Sequence, residues 1–222
     1  NEYRCFFGMM PWVLFRNYFP AEKGNVMSNR TLTLVVLLGS LRQGAYNGII
    51  ADTLPEVAPS DVTIRRLPSI REVPLYDEDD QTQNGIPAVI TEMADAIRQA
   101  DGLVIVTPEY NYSIPGGLKN AIDWLSRTPN QPFAQKPVLI QTASPGPIGG
   151  ARCQYHLRQV LVCLDALTMN KPEFMGGLIS NKVNEDKHTL TDPTSREFLA
   201  RQLAAFVDFI RRLSSENRTG LL

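Results

Sequence analysis

Cysteine is scarce in this chain: Cys5, Cys153 and Cys163 are the only three in 222 residues, and no two of them form a C-x-x-C pair. That excludes a disulfide scaffold and points to a reducing, cytoplasmic compartment. Histidine is scarcer still, with His156 and His188 alone. Cys153 and His156 have the spacing of a metal pair, but His188 lies in a polar stretch and supplies no third ligand, so a helix surface is the better reading. Charge of one sign is missing as well. With 22 basic and 23 acidic residues the formal net charge is −1, and no global field draws the chain to nucleic acid or an anionic membrane. No apolar run reaches the roughly 18 to 20 residues that would insert across a bilayer. Small-molecule chemistry is what these absences leave, on a chain whose 43% hydrophobic content suits one large domain with a sizeable core.

Residues 1–26 differ from the rest. The stretch CFFGMMPWVLF at 5–15 is apolar but interrupted by Pro11, preceded only by Arg4, and followed by no Ala-x-Ala cleavage pattern. We expect residues 1–26 to be an extension outside the fold and 27–222, opening on MSNR, to be the domain.

Within that domain, short apolar runs alternate with helical patterns. Residues 31–38 (TLTLVVLL), 62–67, 103–106 (LVIV), 137–142 (PVLIQT) and 167–170 read as strands, the longest of them buried on both faces. Between them, Ile50, Leu54 and Val57, then Ile86, Val89, Ile90, Met93 and Ile97, then Leu157, Val160, Leu161 and Leu164 recur at helical spacing, and Phe198, Leu199, Phe206, Val207 and Ile210 mark a closing helix. Five strands alternating with helices predict a three-layer α/β sandwich with a five-stranded parallel sheet; the right-handed crossover rule leaves few topologies, of which we take the order 2-1-3-4-5. That order sets the loops after strands 1 and 3 side by side at the switch point, where such sheets bind ligands.

Both loops have chemistry to offer there. Residues 39–47, GSLRQGAYN, join a strand to a helix through glycines, a geometry that aims N–H groups and a helix dipole at an anion. Ala45 and Tyr46 stand where GxxxxGK[ST] needs lysine and a metal-binding hydroxyl, which makes an NTPase improbable, and GxGxxG is absent. Ser40, Arg42 and Asn47 suit a terminal phosphomonoester bound without metal; a plain turn is the competing reading. The loop after residues 103–106 carries Tyr110, Asn111 and Tyr112, fit to hold a flat ligand or to serve as a rigid connection. A third glycine loop with Ser144, ASPGPIGG at 143–150, opens at the same edge, whereas the carboxylates at 77–80 read as a solvated loop.

Four segments carry a resemblance: GSLRQGAYN at 39–47, PLYDED at 74–79, TPEYNYSIPGGLKNAIDWLSR at 107–127 and GGARCQYHLR at 149–158. Over residues 32–210 the chain resembles the NAD(P)H-dependent FMN reductase family, flavodoxin-like in fold, and within it the subgroup described as chromate or quinone reductases. The resemblance implies that Ser40, Leu41, Arg42 and Asn47 hold the FMN phosphate end, that Pro108, Glu109, Tyr110, Asn111 and Tyr112 border the isoalloxazine, and that Ser144 closes the far side. It implies NADPH or NADH as donor, a quinone as acceptor with chromate as a side substrate, donor and acceptor using one open flavin face in turn, and no catalytic nucleophile from the protein. Where the family commonly has serine, this chain has Ala45, which removes a hydroxyl from the phosphate cradle. A homodimer or homotetramer is implied too, with Arg152, Tyr155 and Glu173 as a polar contact between dimers and Trp124 either an interface anchor or, the better single reading, core. Two other functions compete. One is a flavin reductase releasing reduced FMN to a partner; the other is a flavodoxin-type electron carrier, against which the near-neutral charge argues.

Overall fold

The computed structural model describes residues 30–219, so the expected extension at 1–26 lies outside the described residues. Strands β1 (Leu32–Leu38), β2 (Val62–Arg66), β3 (Gly102–Thr107), β4 (Pro137–Ala143) and β5 (Leu167–Thr168) form a parallel sheet in the order β2-β1-β3-β4-β5. Helices α1 (Tyr46–Val57), α3 (Ala88–Gln99), α4 (Gly116–Ser126), α5 (Ala151–Cys163) and α6 (Pro193–Thr219) cover it, with a short α2 (Glu78–Asn84) beside α3 in sequence.

The unbroken apolar runs in β1 and β3 follow from this layering, since side chains on both faces of a central parallel strand are buried. Val35, Leu37, Ile105 and Ile140 face one way, onto Ile90, Met93 and Ile97 of α3, Leu118, Ile122 and Trp124 of α4, and Leu157 of α5. Leu34, Val36, Val104, Val106 and Leu139 face the other, onto Ile49, Ile50 and Leu54 of α1 and Leu199, Leu203, Phe206 and Ile210 of α6. Trp124 is wholly buried; its Nε1 donates to the Pro74 carbonyl at 2.9 Å and its ring meets Tyr76 edge-on. It is a core residue.

Two local features differ from the sequence expectation. The fifth strand position is shared by β5, against Pro137 and Val138, and a sixth strand β6 (Phe174–Gly176), against residues 141–143 of β4. Between them lies Pro172, which has no N–H to give a ladder, and its carbonyl accepts instead from Gln202 Nε2 at 2.8 Å. The acidic stretch is helical. Asp77 caps α2 by accepting from the Asp79 N–H at 2.8 Å, and Glu78, Asp79 and Asp80 fill the first turn at the positive end of the helix dipole. A small antiparallel pair, β7 (Val183–Asn184) and β8 (Thr189–Leu190), closes over α1. It is tied there by Tyr46 Oη donating to Glu185 at 2.7 Å and by His188 Nε2 at 3.2 Å from Asp52. Among the described residues no helix is long and apolar enough to cross a membrane.

Candidate functional site

Three loops leave the carboxyl ends of β1, β3 and β4 at one edge of the sheet. The first, 39–45, enters α1. Its opening glycine sits against β3: the Gly39 N–H donates to the Val106 carbonyl at 2.8 Å, and a Cβ at Gly39 would lie 2.3 Å from Thr107 Oγ1 and 2.9 Å from Leu118 Cδ2. Glycine is what permits the loop to lie so close to β3. Gly44, at φ +66°, then turns the chain into the helix.

The N–H groups along this loop are largely unspent. Among the described residues no acceptor takes those of Ser40, Leu41, Arg42, Gln43 or Gly44, nor those of Tyr46, Asn47 and Gly48 in the first turn of α1. Ala45 occupies the N-cap position and has no side chain to cap with. Donors converging at the positive end of a helix form a receptor for an anion. The Ser40 hydroxyl is free to join them, and Arg42 lies over the Tyr46 ring at 5.2 Å from its centroid. Leu41 is part-exposed at the loop tip, where its carbonyl accepts from Arg71 at 2.6 Å.

Asn47 is placed differently from a direct side-chain ligand. Its amide is buried and bonded to both backbone groups of Ala143, joining α1 to the end of β4. Its backbone N–H remains among the free donors.

The second loop, 108–115, carries the aromatic groups. Tyr110 and Ser113 exchange two backbone hydrogen bonds of 3.0 Å, closing a tight turn whose central residues, Asn111 (φ +48°) and Tyr112 (φ +68°), both lie in the left-handed region. Tyr110 and Tyr112 are 51% and 65% exposed, two rings presented to solvent at the sheet edge. Pro108 is half-buried behind them. Glu109 turns away toward α5: one carboxylate oxygen accepts from the Cys153 N–H at 3.1 Å, and the other lies 3.3 Å from Arg152, whose guanidinium sits 3.8 Å from the Tyr112 ring centroid.

The third loop, 144–150, borders the second. Ser144 N–H donates to the Gly176 carbonyl at 3.0 Å and its hydroxyl to the Gly146 carbonyl at 3.2 Å, so it is held by β6 and its own loop. The loop leads to Cys153, whose thiol is pushed up to about 12, chiefly by burial and then by the Glu109 charge, with a hydrogen bond to Thr107 acting the other way. At neutral pH it is a protonated thiol, no nucleophile. Among the described residues no cluster of three or more His, Cys, Asp or Glu could hold a metal.

The structure therefore brings Ser40, Leu41, Arg42, Pro108, Glu109, Tyr110, Asn111, Tyr112 and Ser144 to one edge. It adds residues that sequence reading had assigned elsewhere or passed over. Arg152, expected between dimers, pairs with Glu109 inside the chain, and Glu173 pairs with Lys171 and Arg158. Gly39 and Ala143 act through their backbones, which residue type signals only weakly, a glycine directly after a strand being the one visible sign.

A parallel sheet in this order, with an anion cradle after β1 and an aromatic loop after β3 at its switch point, defines a flavodoxin-like mononucleotide-binding protein. The family described as NADPH-dependent FMN reductase matches residues 32–180, and the chain belongs to it. It is 62% identical over 182 residues to the quinone reductase of Escherichia coli (strain K12), covering 82% of this chain and 97% of that one. It is 45% identical over 175 residues to the NAD(P)H-dependent FMN reductase of Pseudomonas aeruginosa, covering 79% and 93%. Among solved structures it is similar to a flavoenzyme NAD(P)H:(acceptor) oxidoreductase from Paracoccus denitrificans, with a TM-score of 0.72 and 32% identity over 82% of this chain and 98% of that one.

Proposed function

We propose that this chain is an FMN-dependent oxidoreductase that takes reducing equivalents from NADPH or NADH and reduces quinones by two electrons. One observation carries the reading. The run of unspent N–H groups in 40–48 lies beside the exposed tyrosines of 110–112, because Gly39 is bonded to Val106 near the carboxyl end of β3. A phosphate end and a ring end are thus offered at one switch point, and the donor set fits FMN.

When bound there, FMN supplies hydride acceptance from the nicotinamide and electron return to the acceptor. The protein binds and orients. Ser40, Leu41 and Arg42, with the first-turn N–H groups of α1, would hold the phosphate end. Pro108 to Tyr112 would border the ring, mainly through backbone, and Ser144 would close the far side. No side chain is needed as a nucleophile, in keeping with the neutral, buried Cys153 thiol. Without a second nucleotide-binding domain among the described residues, donor and acceptor would share one site in turn, and parallel double-reciprocal lines are expected.

Chromate as a side acceptor is supported by the part-exposed Arg152 guanidinium beside Tyr112. A homodimer or homotetramer is supported by Tyr155 and Val162, two exposed side chains seven residues apart on α5. Free thiols at Cys153 and Cys163 support a reducing, cytoplasmic compartment.

The test is anaerobic NADPH and NADH oxidation by desalted protein with benzoquinone, before and after FMN is added. A yellow protein active without added FMN supports the quinone reductase. Activity only with added FMN favours the second reading, a flavin reductase that releases reduced FMN, for which the missing hydroxyl at Ala45 is the specific observation. No activity in either condition overturns both.

A further inference from the structure

We propose that the Glu109 carboxylate is a positioning residue: it fixes the shape of the ring-bordering turn by fastening it to the first turns of α5, and does not act on the reacting atoms. The inference rests on the flavin reading above.

The turn at 110–113 is not one its own residues prefer. Two successive left-handed residues suit Asn-Gly, and here the second is Tyr112, whose side chain disfavours φ +68°. Its shape must be imposed from outside, and among the described residues the side-chain hydrogen bonds and ring contacts that reach it come from α5. Ser113 Oγ lies 3.0 Å from His156 Nδ1. The Arg152 guanidinium covers the Tyr112 ring. Glu109, next to the turn, joins Arg152 and the Cys153 N–H.

Glu109 is central to this set because α5 lacks a cap of its own. Gly150 stands at the N-cap position with φ +86° and no side chain, and Cys153 is in the helix's first turn. The Glu109 carboxylate supplies the acceptor from another element, at the helix end where negative charge is favoured. At 12% exposure, with both oxygens engaged, it is committed to that duty. Arg152, held by the same carboxylate, is kept over Tyr112. Removing the carboxylate unpairs an N–H in the first turn of α5, releases Arg152 and lets the turn relax. The phosphate cradle hangs on different contacts, Gly39 to Val106 and Asn47 to Ala143, and keeps its shape.

FMN and riboflavin, which differ by the phosphate, separate the two ends. Full-length wild type, Glu109→Ala and Glu109→Gln are stripped of flavin, and affinities for both flavins are measured together with amide exchange at Cys153 and through 110–113. Glu109→Ala is expected to weaken FMN and riboflavin by the same factor, about tenfold or more, and to speed exchange at Cys153. Glu109→Gln, whose amide oxygen can still accept from Cys153, recovers part of both losses. Ser40→Ala, by contrast, weakens FMN alone. Wild-type affinity and exchange in Glu109→Ala overturn the proposal. So does unchanged flavin binding with an equal loss of turnover in both variants and a vanished step in the pH profile, which would make Glu109 a proton donor. If wild type binds neither flavin, the flavin reading fails; exchange at Cys153 still decides whether Glu109 holds the turn.

Discussion

Asn47 and Ala143 are joined by two hydrogen bonds that run in opposite directions: Asn47 Nδ2 donates to the Ala143 carbonyl, and the Ala143 N–H donates to Asn47 Oδ1, each at 2.9 Å. The side-chain amide thereby imitates a neighbouring strand at the last residue of β4. It also fixes the distance between the anion cradle and the third loop. Asn47→Ala leaves a buried donor and acceptor unpaired at Ala143, at a cost of about 2–5 kcal/mol. Chemical denaturation of the flavin-free protein should show that loss. FMN titration should show weaker binding as well, although no side-chain contact to the phosphate has been removed. A variant with full stability and weakened FMN would mean instead that the amide reaches the ligand.

Gly39→Ala tests the junction of the first two loops. The added Cβ meets Thr107 Oγ1 at 2.3 Å and Thr107 Cβ at 2.7 Å, atoms held in the buried end of β3, so the loop must move. Overpacking of this kind costs about 1–3 kcal/mol. Because the displaced segment is the cradle itself, FMN affinity should fall with it. A thermal melt and a flavin titration on the same preparation check both; an unshifted melt would show that the loop yields freely.

Both faces of the core were legible because continuous apolar runs and helical periodicity report burial directly, and the sheet order was among the few that right-handed crossovers between alternating strands and helices allow. The run at 31–38 and the pattern through Ile90, Met93 and Ile97 fall where those residues pack. Of the candidate site, the loops that reach the sheet edge were legible. Ser40, Leu41, Arg42, Tyr110, Asn111 and Tyr112 stand in loops whose residue types advertise polar or aromatic contact. The roles of Asn47 and Arg152 were not legible, since each is decided by a partner far off in sequence: Asn47 by Ala143 and Arg152 by Glu109. The acidic helix α2 was missed for a nearer reason. Four successive carboxylates look solvated, yet Asp77 as a cap with three acids behind it is what a helix start favours.

The start of α6 gives a prediction about pH. Asp192 accepts from the Ser195 N–H at 2.8 Å just before Pro193, and its carboxyl is held below the usual aspartate range, first by the Ser195 hydroxyl and then by that N–H. A carboxyl lowered on folding adds stability above its unfolded pKa of about 3.9 and loses it as pH falls through the folded value. Asp192→Ala should therefore cost about 0.5–1 kcal/mol at pH 7, the lower part of the range for a cap because solvent still reaches the group. The gap in Tm between wild type and variant should be level from about pH 8 to about pH 5, on the order of that cost, and narrow below about pH 4. A gap that widens in acid would contradict the assignment.

Ala45→Ser bears on the departure that separates this chain from the family pattern. Ala45 is buried at the N-cap of α1, where serine is among the favoured residues, so a hydroxyl introduced there has two uses. In the flavin-free protein it can accept from the unspent first-turn N–H groups, adding about 0.5–2 kcal/mol of stability. With FMN present it can also donate to the phosphate, a charge-assisted bond worth about 1.5–3 kcal/mol. The serine oxygen and the phosphate compete for the same first-turn N–H groups, while the hydroxyl hydrogen stays available to the phosphate. The Ala45→Ser variant is therefore expected to melt higher without flavin and also to hold FMN more tightly, by a smaller factor than the phosphate bond alone would give. Riboflavin, lacking the phosphate, should bind no more tightly than to the parent. Higher Tm with equal or weaker FMN retention would mean that the cap wins, and that the cradle at 40–48 does not take the phosphate where its free N–H groups point.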